Sequence, residues 1–312
     1  MPWKILITDD LEENGVEILR EAAEVDVRSG ISPEELLQVI GVYDALVVRG
    51  RTKVNPKVFE AGKRLKVVGR AGVGVDNIDL AAANVHDVTV VNAPVATTQA
   101  VAELTLGLIL SLARSIPQAD KSMKSSQWLK SELQGVEING KALGVIGMGS
   151  IGSRVAGMAA VLGMYVLGYD PLIEPQEIRN RGAEPVPLMD LYNRADFITL
   201  HVPLTPETRG MIQGQALGHM KRGVYLVCTA RGGLIDETAL LGALESGQVA
   251  GAGLDVFANE PPGMTALVTH PAVVATPHIA AQTAQAQIRA AEDIAREVLA
   301  ALAGEPLRWK IV

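Results

Sequence analysis

The sequence predicts an α/β fold built on two parallel sheets, and three observations carry that expectation. The chain has 312 residues, and at roughly 100–200 residues per domain this length suggests about two domains. Short apolar runs alternate with amphipathic stretches, the signature of parallel strands covered by helices. That alternation comes as two separate series, with no repeat of fixed period joining them.

In the first series, Lys4–Thr8, Val25–Arg28, Ala45–Arg49, Lys66–Gly69 and Val88–Asn92 read as strands. The stretch Ala100–Ala113 is apolar nearly all round its helical wheel, so burial on all sides is expected, against a second domain or subunit. The second series is Ala142–Ile146, Tyr165–Tyr169, Phe197–His201, Val224–Cys228, Ala252–Val256 and Val273–Thr276, with helices such as Ile151–Leu162 and Glu237–Ser246 between strands. A last helix carries Ile288, Ala291, Ile294, Ala295, Val298 and Leu302 at helical spacing and stops at Gly304. It is expected to cross back onto the first domain. The division that results is a discontinuous substrate domain, 1–95 with 286–312, around a central domain, 96–285.

Composition excludes several classes. Hydrophobic residues make up 48% and charged residues 20%, ordinary globular usage. A net charge of −7 gives no global attraction to nucleic acid or to an anionic membrane, so a bound anion needs a local cluster of cations. With one cysteine, Cys228, and no His-Glu-x-x-His stretch, neither an intramolecular disulfide nor a metal site is expected. Val101–Ala113 contains Glu103 and falls short of the ~20 residues that span a bilayer, and the N-terminus lacks a signal-peptide core. A cytoplasmic protein is the expectation.

The segment Gly147-Met148-Gly149-Ser150-Ile151-Gly152 follows an apolar strand and opens a helix. In a Rossmann-type domain Gly147 makes the tight turn, Gly149 admits a pyrophosphate to backbone amides, and Gly152 lets helix and sheet pack closely. Asp170 follows the next strand, 18 residues after Gly152, where a carboxylate accepts from the adenosine ribose hydroxyls. Pro171 and Leu172 follow it instead of an arginine, which favours NAD over NADP.

Three more groups follow strands of the second series: Arg231, Glu260 and His278. Ligands of open α/β sheets bind outside the carboxyl ends of strands, so the three can converge. On position alone each also reads as an ordinary surface ion pair, helix-end carboxylate or core histidine.

The stretches Thr229-Ala230-Arg231-Gly232-Gly233-Leu234-Ile235-Asp236, Gly251 to Phe257 with Glu260-Pro261, and Thr276-Pro277-His278 resemble the D-2-hydroxyacid dehydrogenases. Val68 to Asp79, together with Val47-Val48-Arg49 and Thr52-Lys53-Val54, is similar to the branch of that family acting on D-3-phosphoglycerate. The resemblance covers the whole chain to Val312, so a short form without the regulatory domain of many members is expected. It implies His278 as general acid and base, Glu260 as its partner, and Arg231 as ligand of the substrate carboxylate and carbonyl. A base must take the hydroxyl proton as hydride leaves carbon, and a carboxylate neighbour fixes the tautomer of the imidazole. Arginine offers a planar fork to a carboxylate.

The same resemblance implies Ser150 and Ile151 on the pyrophosphate, Asp255 on the nicotinamide amide, and Thr229, Ala230, Ala280 and Ala281 on the nicotinamide half. Val73 and Val202 stand where relatives often carry hydroxyl residues, so contacts there run through the backbone. Gly50 stands where relatives often carry serine. The substrate phosphate is expected on Arg49 and Arg70, beside the loop Gly72-Val73-Gly74, with Lys130 reaching in from a second subunit of a homodimer or dimer of dimers. The implied activity is oxidation of D-3-phosphoglycerate to 3-phosphohydroxypyruvate, the entry step to serine. The alternatives are a glyoxylate or hydroxypyruvate reductase or another D-2-hydroxyacid dehydrogenase and, from another class, an NAD-sensing corepressor.

Overall fold

The structure, a computed structural model, describes residues 2–312. The first run of elements is β1 (Trp3–Ile7), α1 (Glu13–Arg20), β2 (Ala23–Val27), α2 (Pro33–Val39), β3 (Ala45–Val48), α3 (Pro56–Ala61), β4 (Val67–Arg70), α4 (Leu80–Val85) and β5 (Thr89–Asn92). Next come α5 (Thr98–Ala113), α6 (Ile116–Lys124), β6 (Ala142–Ile146), α7 (Ser150–Val161), β7 (Tyr165–Tyr169), α8 (Pro175–Asn180), β8 (Glu184–Pro185), α9 (Leu188–Arg194) and β9 (Phe197–Leu200). Then follow α10 (Gly214–His219), β10 (Val224–Cys228), α11 (Glu237–Glu245), β11 (Val249–Leu254), α12 (Ala266–Thr269), β12 (Val273–Ala275) and α13 (Ala284–Ala303).

The chain divides into two compact units, Met1–Thr97 with Ala281–Val312, and Thr98–Ala280. The first holds a five-stranded parallel sheet in the order β2-β1-β3-β4-β5. Its inner strands β1, β3 and β4 read as nearly continuous apolar runs because helices cover both faces, whereas the edge strand β2 alternates with Glu24 and Asp26. Ile5, Ile7, Ala45, Val47 and Val67 pack against Ile294, Ala295 and Val298 of α13, while Leu6, Leu46, Val48 and Val68 pack on the opposite side with Leu36, Val58 and Phe59. Gly69 passes so close under α13 that a methyl group there would meet Ile294 and Val298. The C-terminal segment lies along β5: Asn92 N–H donates to Trp309 O, Ile311 N–H to Val90 O, and Val90 N–H to Val312 O.

The second unit holds a seven-stranded parallel sheet in the order β12-β11-β10-β9-β6-β7-β8. The strand order changes direction between β6 and β9, which lie parallel side by side, and the turn after β6 carries the glycine motif. One face is packed by α5 and α7, the other by α9, α10 and α11.

The expectation that α5 is buried on all sides, against a second domain or subunit, needs correction. Leu106, Leu108, Ile109 and Leu112 are buried within their own unit, in one cluster with Leu143, Val145 and Val227. Only the stripe Glu103, Gly107 and Leu110 is exposed. An apolar helix wheel does not distinguish a wide buried face inside a domain from one facing a partner. Among the described residues no single helix is long and apolar enough to cross a membrane.

Candidate active site

Cys228, Leu254 and Ala275, at the ends of β10, β11 and β12, lie in one row of register partners. Arg231 follows three residues beyond Cys228, Glu260 six beyond Leu254, and His278 three beyond Ala275. The loops after these strands also touch: a methyl group on Gly232 would overlap the Phe257 carbonyl oxygen, and only glycine permits that approach.

The centre of the arrangement is the pair His278 and Glu260, with Nδ1 and Oε2 2.8 Å apart. A carboxylate only accepts, so in the neutral ring Nδ1 carries the proton and Nε2 holds the lone pair. The other oxygen, Glu260 Oε1, accepts from Phe257 N–H at 3.1 Å, which fixes the carboxylate plane. His278 itself sits at φ 54°, a left-handed conformation that few non-glycine residues adopt without being held there.

Asp255 does the holding. It is fully buried, and its carboxylate accepts from Thr276 Oγ1 at 2.6 Å, Ile279 N–H at 2.8 Å and Ala280 N–H at 2.8 Å. These donors bracket His278 on both sides. A carboxylate has about four acceptor positions, and three are taken here. The residue expected on the nicotinamide amide thus serves first as the anchor of the histidine loop.

Arg231, partly buried, donates from Nη1 to Ala230 O at 2.6 Å. Cys228 lies beneath it, its thiol pushed up to about 11 by burial, so it is no nucleophile at neutral pH. Thr229, nearly enclosed, has its Oγ1 2.9 Å from Thr105 Oγ1. Thr105 already donates to Val101 O at 2.8 Å, so Thr229 is the donor in that contact and presents only lone pairs elsewhere. Sequence reasoning gave Thr105 no role, because the two threonines are 124 residues apart.

The residues present fit a dinucleotide. Gly147 turns at φ 92°, and a methyl group on Gly152 would overlap Gly147 O, so the loop closes tightly on α7. At Gly149, by contrast, nothing lies within 4 Å of the methyl position, and no side chain caps α7, whose first amides are left to an anion. Ser150 is exposed and Ile151 half-buried at this helix start. Asp170 accepts from Met148 N–H at 2.9 Å and from Leu172 N–H at 3.0 Å, leaving acceptor positions for ribose hydroxyls. Val202 is half-buried beside Gly147, and Ala281 opens the return to the first unit.

In the first unit, Val48 and Arg70 are register partners, so Arg49 and Arg70 stand at the carboxyl ends of neighbouring strands. Asp9, also buried, organises the loop after β3 by accepting from Arg49 N–H, Thr52 N–H and Thr52 Oγ1. The Arg49 guanidinium donates to Asp10 O at 3.1 Å, and Arg51, not anticipated, pairs with Asp9 at 3.1 Å. Asn92 Nδ2 donates to Val73 O at 2.6 Å and pins the loop Gly72-Val73-Gly74. Lys130 is exposed after α6, and Lys124 is paired with Asp120 at 2.7 Å.

Residues 106–280 match the family described as D-isomer specific 2-hydroxyacid dehydrogenase, NAD binding domain. The chain belongs to that family. A D-3-phosphoglycerate dehydrogenase of Methanocaldococcus jannaschii is 49% identical over 303 residues, 97% of this chain and 58% of that protein. The chain thus spans little more than half the length of the curated relatives it matches. Among solved structures, a glyoxylate reductase from Paecilomyes thermophila superposes with a TM-score of 0.91 at 30% identity, covering 99% of this chain and 98% of that one. A D-lactate dehydrogenase from Aquifex aeolicus, complexed with NAD and lactic acid, gives 0.84 at 31% identity, with 96% of each chain covered. As a member of the D-isomer specific 2-hydroxyacid dehydrogenase family, the chain carries its glycine loop, Asp170 and the His278–Glu260 pair in a single unit, Thr98–Ala280.

Proposed function

We propose that this dehydrogenase oxidises D-3-phosphoglycerate at C2 to 3-phosphohydroxypyruvate with NAD. The observation that carries the reading is the His278–Glu260 pair, Nδ1 to Oε2 2.8 Å, in a chain 49% identical to a phosphoglycerate dehydrogenase. When bound, NAD supplies the acceptor for the hydride that leaves C2. His278 Nε2 takes the hydroxyl proton, while Glu260 holds Nδ1–H and stabilises the imidazolium that forms. Arg231 presents its fork to the substrate carboxylate. Ser150 and Ile151 amides receive the pyrophosphate, and Asp170 the adenosine ribose. Val202 contributes through its backbone, and Thr229, Ala230, Asp255, Ala280 and Ala281 line the nicotinamide half. Arg49 and Arg70, with the loop Gly72-Val73-Gly74, serve the phosphate end.

A homodimer, or a dimer of dimers, completes the proposal, with Lys130 adding a cation to a neighbour. Its support is the exposed apolar side chains Ile116 (51%), Met123 (57%) and Trp128 (76%) around α6. A cytoplasmic setting is in keeping with NAD use and with one free, buried thiol.

A second reading has its own observation: the likeness to the glyoxylate reductase, with a TM-score of 0.91 at 30% identity. Comparing kcat/KM for D-3-phosphoglycerate, D-glycerate, glyoxylate and hydroxypyruvate tests both. Strong preference for the phosphorylated acid supports the first reading, and equal kcat/KM for glycerate and its 3-phosphate moves the assignment to the reductase.

A further inference from the structure

Residue 148 of the dinucleotide loop is gripped from two sides by opposite charges. Its N–H donates to Asp170 Oδ2 at 2.9 Å. Its carbonyl oxygen accepts from Arg181 Nη1 at 2.6 Å and from Ser153 Oγ at 2.8 Å. Arg181 follows α8, and its Nε donates to Glu177 Oε1 at 2.7 Å. The guanidinium is therefore fixed on two acceptors while its side chain keeps 32% of its surface exposed. A carboxylate and a guanidinium thus flank a single residue of the loop, at the end of it where an adenosine ribose is read.

We propose that Arg181 is a second determinant of dinucleotide choice, able to receive a 2′-phosphate once the charge of Asp170 is removed. The inference rests on the NAD reading above. A free 2′-hydroxyl donates to Asp170, whereas a 2′-phosphate brings a charge of about −1.5 to −2 that the carboxylate repels. The guanidinium has five donors, of which the bonds to Met148 and Glu177 use Nη1 and Nε, and its planar fork suits a phosphate. Because it is already held beside the loop, little ordering is left to be done on binding. NAD preference in this chain is accordingly a balance between two opposed side chains. The arginine went unnoticed in the sequence because a basic residue at a helix end reads as a solvated charge.

The test uses nucleotide fluorescence to measure NADH and NADPH affinity for the native protein, Asp170→Asn, Arg181→Leu and the double variant, with no turnover needed. The one oxygen of asparagine can still accept from Met148 N–H, with its NH2 turned toward Leu172 N–H, so the loop keeps this anchor and loses the one to Leu172. The expected result is that Asp170→Asn tightens NADPH binding about tenfold or more, and that Arg181→Leu in that background removes the gain while NADH affinity changes less than about threefold. With Asp170 intact, Arg181→Leu weakens the low native affinity for NADPH and spares that for NADH. A gain that survives Arg181→Leu overturns the proposal, as does Asp170→Asn that binds NADH without improving on NADPH. Should Asp170→Asn fail to fold, the single Arg181→Leu comparison decides alone: equal loss of both nucleotides means a purely structural clamp. Native protein that binds neither nucleotide would defeat the NAD reading itself, a separate outcome.

Discussion

Ile279 N–H donates to Asp255 Oδ1 at 2.8 Å, so the residue after His278 hangs on a carboxylate that the imidazole never touches. Thr276 Oγ1 shares that oxygen and Ala280 N–H takes the other. Asp255→Asn places an amide NH2 against at least one of these donors. The expected cost is about 1–3 kcal/mol of stability for a buried donor left unsatisfied. The larger effect is on kcat, since a misplaced base loses most of the ~10²–10⁴-fold that acid–base catalysis contributes. Thermal melts and steady-state kinetics on one preparation check both.

His278→Ala removes the base itself and lowers kcat by ~10²–10⁴-fold with NAD binding retained. Glu260→Gln is the milder partner change, because a glutamine oxygen still accepts from Nδ1–H, whereas Glu260→Leu leaves that proton unpaired. Kinetics that rank Leu and Gln equally would show that hydrogen bonding to Nδ1 is not what Glu260 provides.

Gly72 has φ 143°, and a methyl group there would overlap the Arg70 guanidinium. Gly72→Ala therefore strains the backbone and displaces Arg70. If Arg70 binds the phosphate, KM for the phosphorylated acid rises ~10–100-fold, the scale of a lost charged hydrogen bond, while NAD affinity is unchanged. An unchanged KM would remove Arg70 from the phosphate site.

Burial pushes the pKa of His201 down to about 3. Its ring Nε2 is 3.0 Å from the Thr199 hydroxyl, at the end of β9. The folded state keeps the ring neutral, whereas the unfolded chain takes up a proton below its ordinary value of about 6.5. Stability from this residue is therefore complete above about pH 6.5 and drains away as pH falls toward 3. Urea unfolding at pH 7 and pH 4 reads the loss, and His201→Asn flattens it.

Much of this arrangement was legible in advance. The apolar runs at β6 and β7 and the glycine turn between β6 and α7 carry their own signals, periodicity and a residue type that the backbone requires. β8 was invisible because two residues ending in Pro185 make no pattern. The packing of α5 was misread because periodicity shows how wide an apolar face is, not what covers it. The anchoring by Asp255 escaped notice for a different reason: its partners lie 21 to 25 residues ahead and two of them are backbone amides, which look the same in every sequence.

The pairing of residues 309–312 with β5 bears on how the protein behaves in bulk. An uncovered parallel sheet ends in a row of backbone donors and acceptors that will template any other strand it meets. Here the chain fills that row on β5 with its own last residues, and Glu297, 5% exposed, fastens the segment by accepting from Arg308 and Trp309 N–H. Removing residues 309–312 would bare that row on β5, and edge-to-edge association, read as light scattering that grows with protein concentration, is the expected outcome.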